Sequence, residues 1–151
     1  MNWDAIGAIG EILGALAVVA TLFYLAIQIR HSARLSQSQI HTELLALGHE
    51  AHNWKRDPAF AELLIRADSN YAELSPAEKE QFSTYVFQLL NVWEHAFSNH
   101  ERGLMSDAYW QAWNQTFCLN LSHDGWRTVW ESVKMHFAEE FRNHVDIYLP
   151  T

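Results

Sequence analysis

Cysteine and basic residues are scarce in this sequence, and each scarcity excludes a class of protein. The single cysteine, Cys118, cannot form an internal disulfide, which fits a chain that works in a reducing compartment. Its apolar surroundings, TFCLNL, argue against a nucleophilic thiolate. Lysine and arginine total 10 against 18 acidic residues, for a net charge of −8. Because such a surface does not attract phosphate, we expect no nucleic-acid partner.

Alternating strand patterns, internal repeats and low-complexity runs are also lacking, which predicts an all-α fold. The most informative stretch that is present is the apolar segment at residues 5–29, AIGAIGEILGALAVVATLFYLAIQI. Only Glu11, Thr21, Tyr24 and Gln28 carry polar side chains there. Because about 20 apolar residues cross the roughly 30 Å hydrocarbon core of a bilayer, the segment predicts a single transmembrane helix.

Other interpretations of this segment stay open. The uncharged run that ends before Arg30 only just reaches the length of about 18 residues that indicates a span, so a buried core helix is one alternative. A helix lying on the membrane surface would need a strongly polar face, which the segment lacks. A cleaved signal peptide would begin with lysine or arginine, whereas residues 1–4 carry an acid instead.

Charged residues on either side of the segment set its expected orientation. Asp4 precedes it, whereas Arg30, His31 and Arg34 follow it. Because basic residues next to a membrane helix stay in the cytoplasm, we expect the N-terminus outside, with Trp3 as an interfacial anchor. The rest of the chain is then cytoplasmic, and no lipidation signal competes with this arrangement.

Three regions are therefore expected: a transmembrane anchor at 1–30, a neck at 31–39 that is either flexible or helical, and a helical cytoplasmic domain at 40–151. Within the domain, apolar residues recur at spacings of three and four, which predicts a bundle of helices with one buried face each. The stripes are Ile40, Leu44, Leu47, Ala51 and Trp54; Phe82, Val86, Leu89, Trp93 and Phe97; Trp110, Trp113 and Phe117; and, on one last helix, Trp126, Trp130, Val133, Phe137, Phe141, Val145 and Tyr148.

Capping signals separate these helices. Asp57 followed by Pro58 predicts one helix start, and the sequence SPAE from Ser75 predicts another with a capping box. A third start is expected at Ser106, after a helix that ends at Gly103.

These pieces together resemble a known family. The opening WDAIGAIGEILGALAVVATLFYLAIQIR, and later LSPAEKEQF, VWEHAF followed by RGLMSDAYWQAW, and EEFRNHVD, are similar to a family of small uncharacterised bacterial proteins with one N-terminal transmembrane helix. The resemblance covers most of the chain, and its first string is the most specific part. It implies a bacterial inner-membrane protein with a helical cytoplasmic body, and it allows no catalytic residues to be carried over. The nine histidines of this chain depart from the family's pattern.

Three histidines on one predicted helix, His41, His49 and His52, are the candidate metal ligands. His41 and His52 project nearly the same way, because their separation is close to about three helical turns. Imidazole groups with the nearby Glu50 would suit zinc or iron. However, the sequence HEAH lacks the one-turn spacing of zinc hydrolases, and no Glu-x-x-His of di-iron bundles occurs. A solvated helix face is the competing interpretation.

Glu94 is predicted to be a partly buried acid, because Phe97 lies close by on the same helix face. A buried carboxylate without a partner costs several kcal/mol. We therefore expect either a structural partner, with Arg102, Arg127 or Arg142 as candidates, or a ligand.

His136, Glu140 and His144 are expected on one face of the last helix. Pairs at this spacing typically stabilise a helix by about 0.2–0.5 kcal/mol, whereas acid–base chemistry would need a pocket. The tryptophan stripes are predicted to be core, with an apolar ligand pocket or partner surface as the alternative.

Small residues line one side of the predicted membrane helix. Small residues let helices approach closely in lipid, where packing drives association. An acid beside them is expensive at that depth, so we expect a helix–helix contact there. This helix-packing face consists of Gly7, Gly10, Glu11, Gly14, Ala17 and Thr21.

The sequence favours a membrane-anchored helical interaction module, either an oligomer or an accessory subunit of a larger inner-membrane assembly. Its partners would be the lipid bilayer and either its own copies or other membrane subunits. No cofactor is expected, and the balance favours a protein that is not an enzyme. The alternative is a helical metal- or small-ligand-binding enzyme or sensor that uses a His/Glu site.

Overall fold

The computed structural model of the protein describes the backbone of residues 3–149 and the side chains of residues 10–50 and 52–149. Its regular structure consists of helices. No strand occurs within this described range, so the predicted all-α fold is confirmed. The chain divides into two units, Met1–Ser38 and Gln39–Thr151. The expected division into a membrane anchor at 1–30, a neck at 31–39 and a cytoplasmic domain at 40–151 stays a prediction.

Helix α1 (Trp3–Trp54) is the longest, and its N-terminal part carries the apolar segment. Every side chain at residues 10–35 is exposed, and Phe23 exposes 69% of its surface. The most apolar window has a mean hydropathy of 2.3 and is not buried, so this helix is long and apolar enough to cross a membrane. Within the described residues, the segment is not buried as a core helix would be. Residues 31–39 are helical, so the neck continues α1.

The second unit is a helical bundle formed by the end of α1 and the helices that follow it. Helix α3 is the longest of these and packs against α2, α4, α5 and α6. The end of α1 contributes Leu44, which is fully buried. The later helices are α2 (Pro58–Asn70), α3 (Pro76–Glu101), α4 (Asp107–Asn120), α5 (Asp124–Val133) and α6 (Glu139–Asp146), with 3₁₀ turns at Tyr71–Glu73 and Lys134–His136.

Local hydrogen bonds at the predicted caps explain where α2 and α3 begin. The Ala59 amide donates to Asp57 Oδ1 at 3.0 Å. The Ser75 amide donates to Glu78 Oε2 at 2.9 Å, which is half of the predicted capping box. Gly103 has φ +69°, a left-handed conformation that favours glycine, and α3 ends just before it. These capping predictions are confirmed.

An ion pair reinforces the start of α3. Arg66 of α2 donates to Glu78, and together with the Ser75 hydrogen bonds this lowers the pKa of the Glu78 carboxyl to about 2. The same side chain therefore caps α3 and links it to α2.

Aromatic rings fill the centre of the bundle, as the stripes predicted. Trp93 and Trp130 are fully buried. The Trp93 ring stacks on Phe117 with centroids 5.1 Å apart, and it meets Phe141 edge-on at 5.4 Å. Leu47 departs from its predicted stripe and is exposed, because the end of α1 meets the bundle through the narrow strip that holds Leu44.

The predicted last helix is broken in two, which corrects the sequence analysis. Helix α5 ends at Val133, a 3₁₀ turn follows, and α6 starts only at Glu139. Phe137 lies in the connection and is buried against Trp130 and Phe141, with ring centroids 5.5 and 5.7 Å away. The break therefore allows Phe137 and Phe141 to pack in the same core. The three- and four-residue spacing of apolar residues continues across the break, so the sequence pattern does not reveal it.

Replacing Trp130 by alanine should lower the free energy of unfolding by about 3–5 kcal/mol, because the ring is fully buried and leaves a cavity. Denaturant unfolding of the detergent-solubilised chain, followed by circular dichroism, measures this loss. Leu119→Ala is the control, since Leu119 is 63% exposed, and it should cost under about 0.5 kcal/mol. A loss below about 1 kcal/mol for Trp130→Ala would contradict its place in the core.

Candidate functional site

The predicted helix-packing face of α1 is open. A Cβ atom built on Gly10 or Gly14 would meet nothing within 4 Å among the described residues, apart from the adjoining backbone of the helix itself. Ala17 and Thr21 are exposed on the same helix. Gly7 lies outside the residues whose side chains are described. The described part of the face is therefore exposed.

Three of the four polar side chains in the apolar segment find partners within the helix itself. The Thr21 hydroxyl donates to the Ala17 carbonyl at 2.8 Å, and Gln28 Nε2 donates to the Tyr24 hydroxyl at 2.7 Å. Such internal hydrogen bonds remove the cost of placing these groups in lipid. Glu11 is the exception, because its exposed carboxylate forms no ion pair with any described residue.

Glu94 is half-buried, as predicted, but its partner is a backbone amide rather than an arginine. Glu94 Oε1 accepts a hydrogen bond from the Ala138 amide at 2.7 Å, at the start of α6. Arg127 instead donates to the Ser122 carbonyl at 2.6 Å, and Arg142 donates to the Phe137 carbonyl at 3.1 Å. The expected arginine pairing is therefore not formed by these two residues.

A groove of about 610 Å³ runs beside Glu94, between α3 and α6. Its lining includes the charged residues Glu101, Arg102 and Glu140 and the aromatic residues Phe97 and Phe141. Because the Glu94 carboxylate already accepts the Ala138 amide, its observed role is to hold α6 against α3.

The three candidate metal ligands of α1 have different surroundings. The His41 ring packs on Tyr109 with centroids 4.0 Å apart. His52 Nδ1 lies 2.7 Å from the Gly48 carbonyl, and His49 is exposed. Within the described part of the chain, no three histidine, cysteine or acidic side chains are grouped so that they could hold a metal ion. Metal binding by His41, His49 and His52 stays a prediction.

His136 and His144 do not share a helix face, which corrects the sequence analysis. His136 belongs to the 3₁₀ turn and is exposed, whereas His144 lies on α6 and is half-buried. The expected face was drawn on an unbroken helix, and the turn before α6 rotates the two residues apart. Glu140 remains on α6 and lines the groove.

His144 instead joins a hydrogen-bond network centred on Asn114, a residue that the sequence analysis missed. Asn114 Oδ1 lies 2.8 Å from His144 Nε2 and accepts the Trp93 indole N–H at 3.0 Å. Asn114 Nδ2 donates to the Tyr148 hydroxyl at 3.2 Å. The amide thus joins α3, α4 and α6. No periodic signal marks Asn114, because all three partners lie far away in sequence.

Burial lowers the pKa of His144 below its usual value; the neighbouring His100 also lowers it, and Glu101 opposes this. The ring lies among aromatic side chains, with centroids 4.9 Å from Phe97 and 5.3 Å from Trp110. His144 is thus held largely neutral at physiological pH. The thiol pKa of Cys118 is raised by burial, which agrees with the expectation that Cys118 is not a nucleophile.

Lowering the pH should destabilise the bundle partly through His144. A histidine whose pKa is lowered on folding binds fewer protons in the folded chain than in the unfolded chain. Its contribution to the free energy of unfolding is therefore complete above about pH 6.5, the usual histidine pKa, and is lost as the pH falls toward the pKa of the folded state. His144→Gln should therefore reduce the drop in unfolding free energy between about pH 7.5 and 5.5. The exposed His49→Gln is the control, and an identical drop in both variants would contradict the assignment.

Comparison with known proteins gives this chain no relative. No protein-family profile, no curated protein and no solved structure matches it. The resemblance described for the sequence therefore stays an expectation.

Proposed function

We propose that the protein is a membrane-anchored helical interaction module. The observation that carries this proposal is the exposed apolar surface of α1. Ile12, Leu16, Leu22, Phe23 and Ile29 each expose 60–69% of their surface. Large contiguous apolar patches are rare on soluble monomers and usually mark interaction or membrane sites. A bilayer would remove all sides of this helix from water at once.

The polar groups of the segment support this proposal. Thr21, Tyr24 and Gln28 satisfy one another or the helix backbone, which is what a lipid environment requires of a single helix. Arg30 and Arg34 follow the segment and would stay on the cytoplasmic side. The bundle at residues 39–149 would then lie in the cytoplasm. The family resemblance would place the anchor in a bacterial inner membrane.

The partner within the membrane would pack on the face of Gly10, Gly14, Ala17 and Thr21. No described side chain approaches the two glycines, so a neighbouring backbone would have room for close contact. Glu11 lies beside this face and would hydrogen-bond to the partner, because an unpaired carboxylate is costly in lipid. A second copy of the chain is the simplest partner, and another membrane subunit is the alternative.

Reporter fusions test the orientation. A fluorescent protein fused to the C-terminus should be bright in a bacterial host, and alkaline phosphatase fused there should be inactive, because the bundle stays in the cytoplasm. Replacing both Arg30 and Arg34 by glutamate removes the orienting charge and should produce some inverted molecules. An active phosphatase with a dark fluorescent fusion would contradict the orientation.

Disulfide crosslinking in native membranes tests the packing face. In a Cys118→Ser background, Gly10→Cys should give a crosslinked dimer, and adding Gly14→Leu should reduce its yield at least about fivefold by blocking close approach. Leu16→Cys and Phe23→Cys, on the opposite side of α1, are the controls and should crosslink poorly. Equal crosslinking from both sides would show that the proposed face is wrong, and no crosslink from Gly10 would exclude self-association through it.

A further inference from the structure

A small pocket of about 270 Å³ opens on the bundle where α2, α3, α4 and α5 meet. Leu64 of α2 and Trp126 of α5 form apolar parts of its wall. Four polar side chains of different chemistry line the rest, each from a different part of the chain: Lys55, Asp68, Tyr85 and Asn120.

Tyr85 is the most informative of these residues. Only 3% of its surface is exposed, and its ring packs edge-on against Phe60 with centroids 5.2 Å apart. The residue lines the pocket. Burial, with a smaller effect of Asp68, raises the pKa of Tyr85 to about 12. Tyr85 is therefore a neutral hydrogen-bonding residue that its packing holds in the pocket wall.

Asp68 and Lys55 place opposite charges on the same pocket without pairing with each other. No ion pair within 4 Å joins them or links either one to another described residue. Asp68 is half-buried, and burial raises the pKa of its carboxyl, while the charges of His123 and Lys55 oppose that rise. The pocket thus offers a carboxylate and an ammonium group that both remain available.

We propose that this pocket binds a small zwitterion, which carries one ammonium and one carboxylate group on a short aliphatic body. Asp68 binds the ammonium group and Lys55 the carboxylate, because charge-assisted hydrogen bonds are the strongest that these groups make. Tyr85 and Asn120 orient the charged end, and Leu64 contacts the aliphatic body.

The size of the pocket limits the ligand. Pockets for drug-sized ligands occupy about 300–1,000 Å³. At about 270 Å³ this pocket is slightly smaller, so it suits a molecule of amino-acid size rather than a nucleotide. The inference does not rest on the proposed membrane anchor, because all the residues involved belong to the bundle.

Calorimetric titration of the full chain in detergent micelles tests the ligand class. The probes are L-valine and L-leucine, with 3-methylbutylamine and 4-methylpentanoate as analogues of leucine that lack the carboxylate or the ammonium group. At least one amino acid should bind saturably, and both analogues should bind at least about tenfold more weakly, a difference of about 1.4 kcal/mol. No saturable binding of either amino acid, or equal binding of an analogue, would overturn the proposal.

Three variants assign the binding to this pocket. Asp68→Asn should weaken amino-acid binding at least about tenfold, and Tyr85→Phe, which keeps the ring, should weaken it about fivefold. Glu62→Gln is the matched control, since Glu62 is an exposed acid of the same helix that does not line the pocket. If Asp68→Asn binds as tightly as Glu62→Gln, the pocket is not the site.

Discussion

The apolar surface of α1 is the constraint on which the rest of this structure depends. The described side chains at residues 10–35 are exposed on every side of the helix. Burying apolar surface is worth about 25 cal/mol per Å², so a helix of this composition has a strong drive to leave water. The proposed bilayer meets that need. The stability of the bundle must then come from interactions among residues 39–149.

Aromatic packing supplies that stability, and it needs polar support. A buried indole brings an N–H group into the core, which is costly unless it finds an acceptor. Asn114 accepts the N–H of Trp93 and also contacts His144, so one amide serves two rings that come from different helices. At the other end of α6, Glu94 accepts the Ala138 amide. Helix α6 is short, and these contacts hold its start against α3 and its later part against α4.

Local features of this fold are predictable from the sequence. The start signals at Asp57 and Ser75 and the end at Gly103 depend on residues within one turn, and each lies where the sequence places it. The stripes around Trp93 and Trp130 depend only on helical spacing, and both rings are buried.

The remaining features depend on distant residues, which periodicity does not reveal. The break after Val133 contains neither glycine nor proline and keeps the apolar spacing, so only the core that Phe137 enters explains it. The backbone partner of Glu94 lies 44 residues away, and Asn114 meets His144 across 30 residues. The pocket around Tyr85 likewise gathers side chains from separate helices.

Alkaline carbonate extraction of bacterial membranes that contain the full chain tests the central claim most directly. Carbonate at high pH releases peripheral proteins but leaves a helix that spans the bilayer in place, because the span is held by burial in hydrocarbon rather than by charge. We predict that the full chain stays in the membrane pellet, whereas a chain that begins at Gln39 is released. Complete release of the full chain would contradict membrane anchoring by α1.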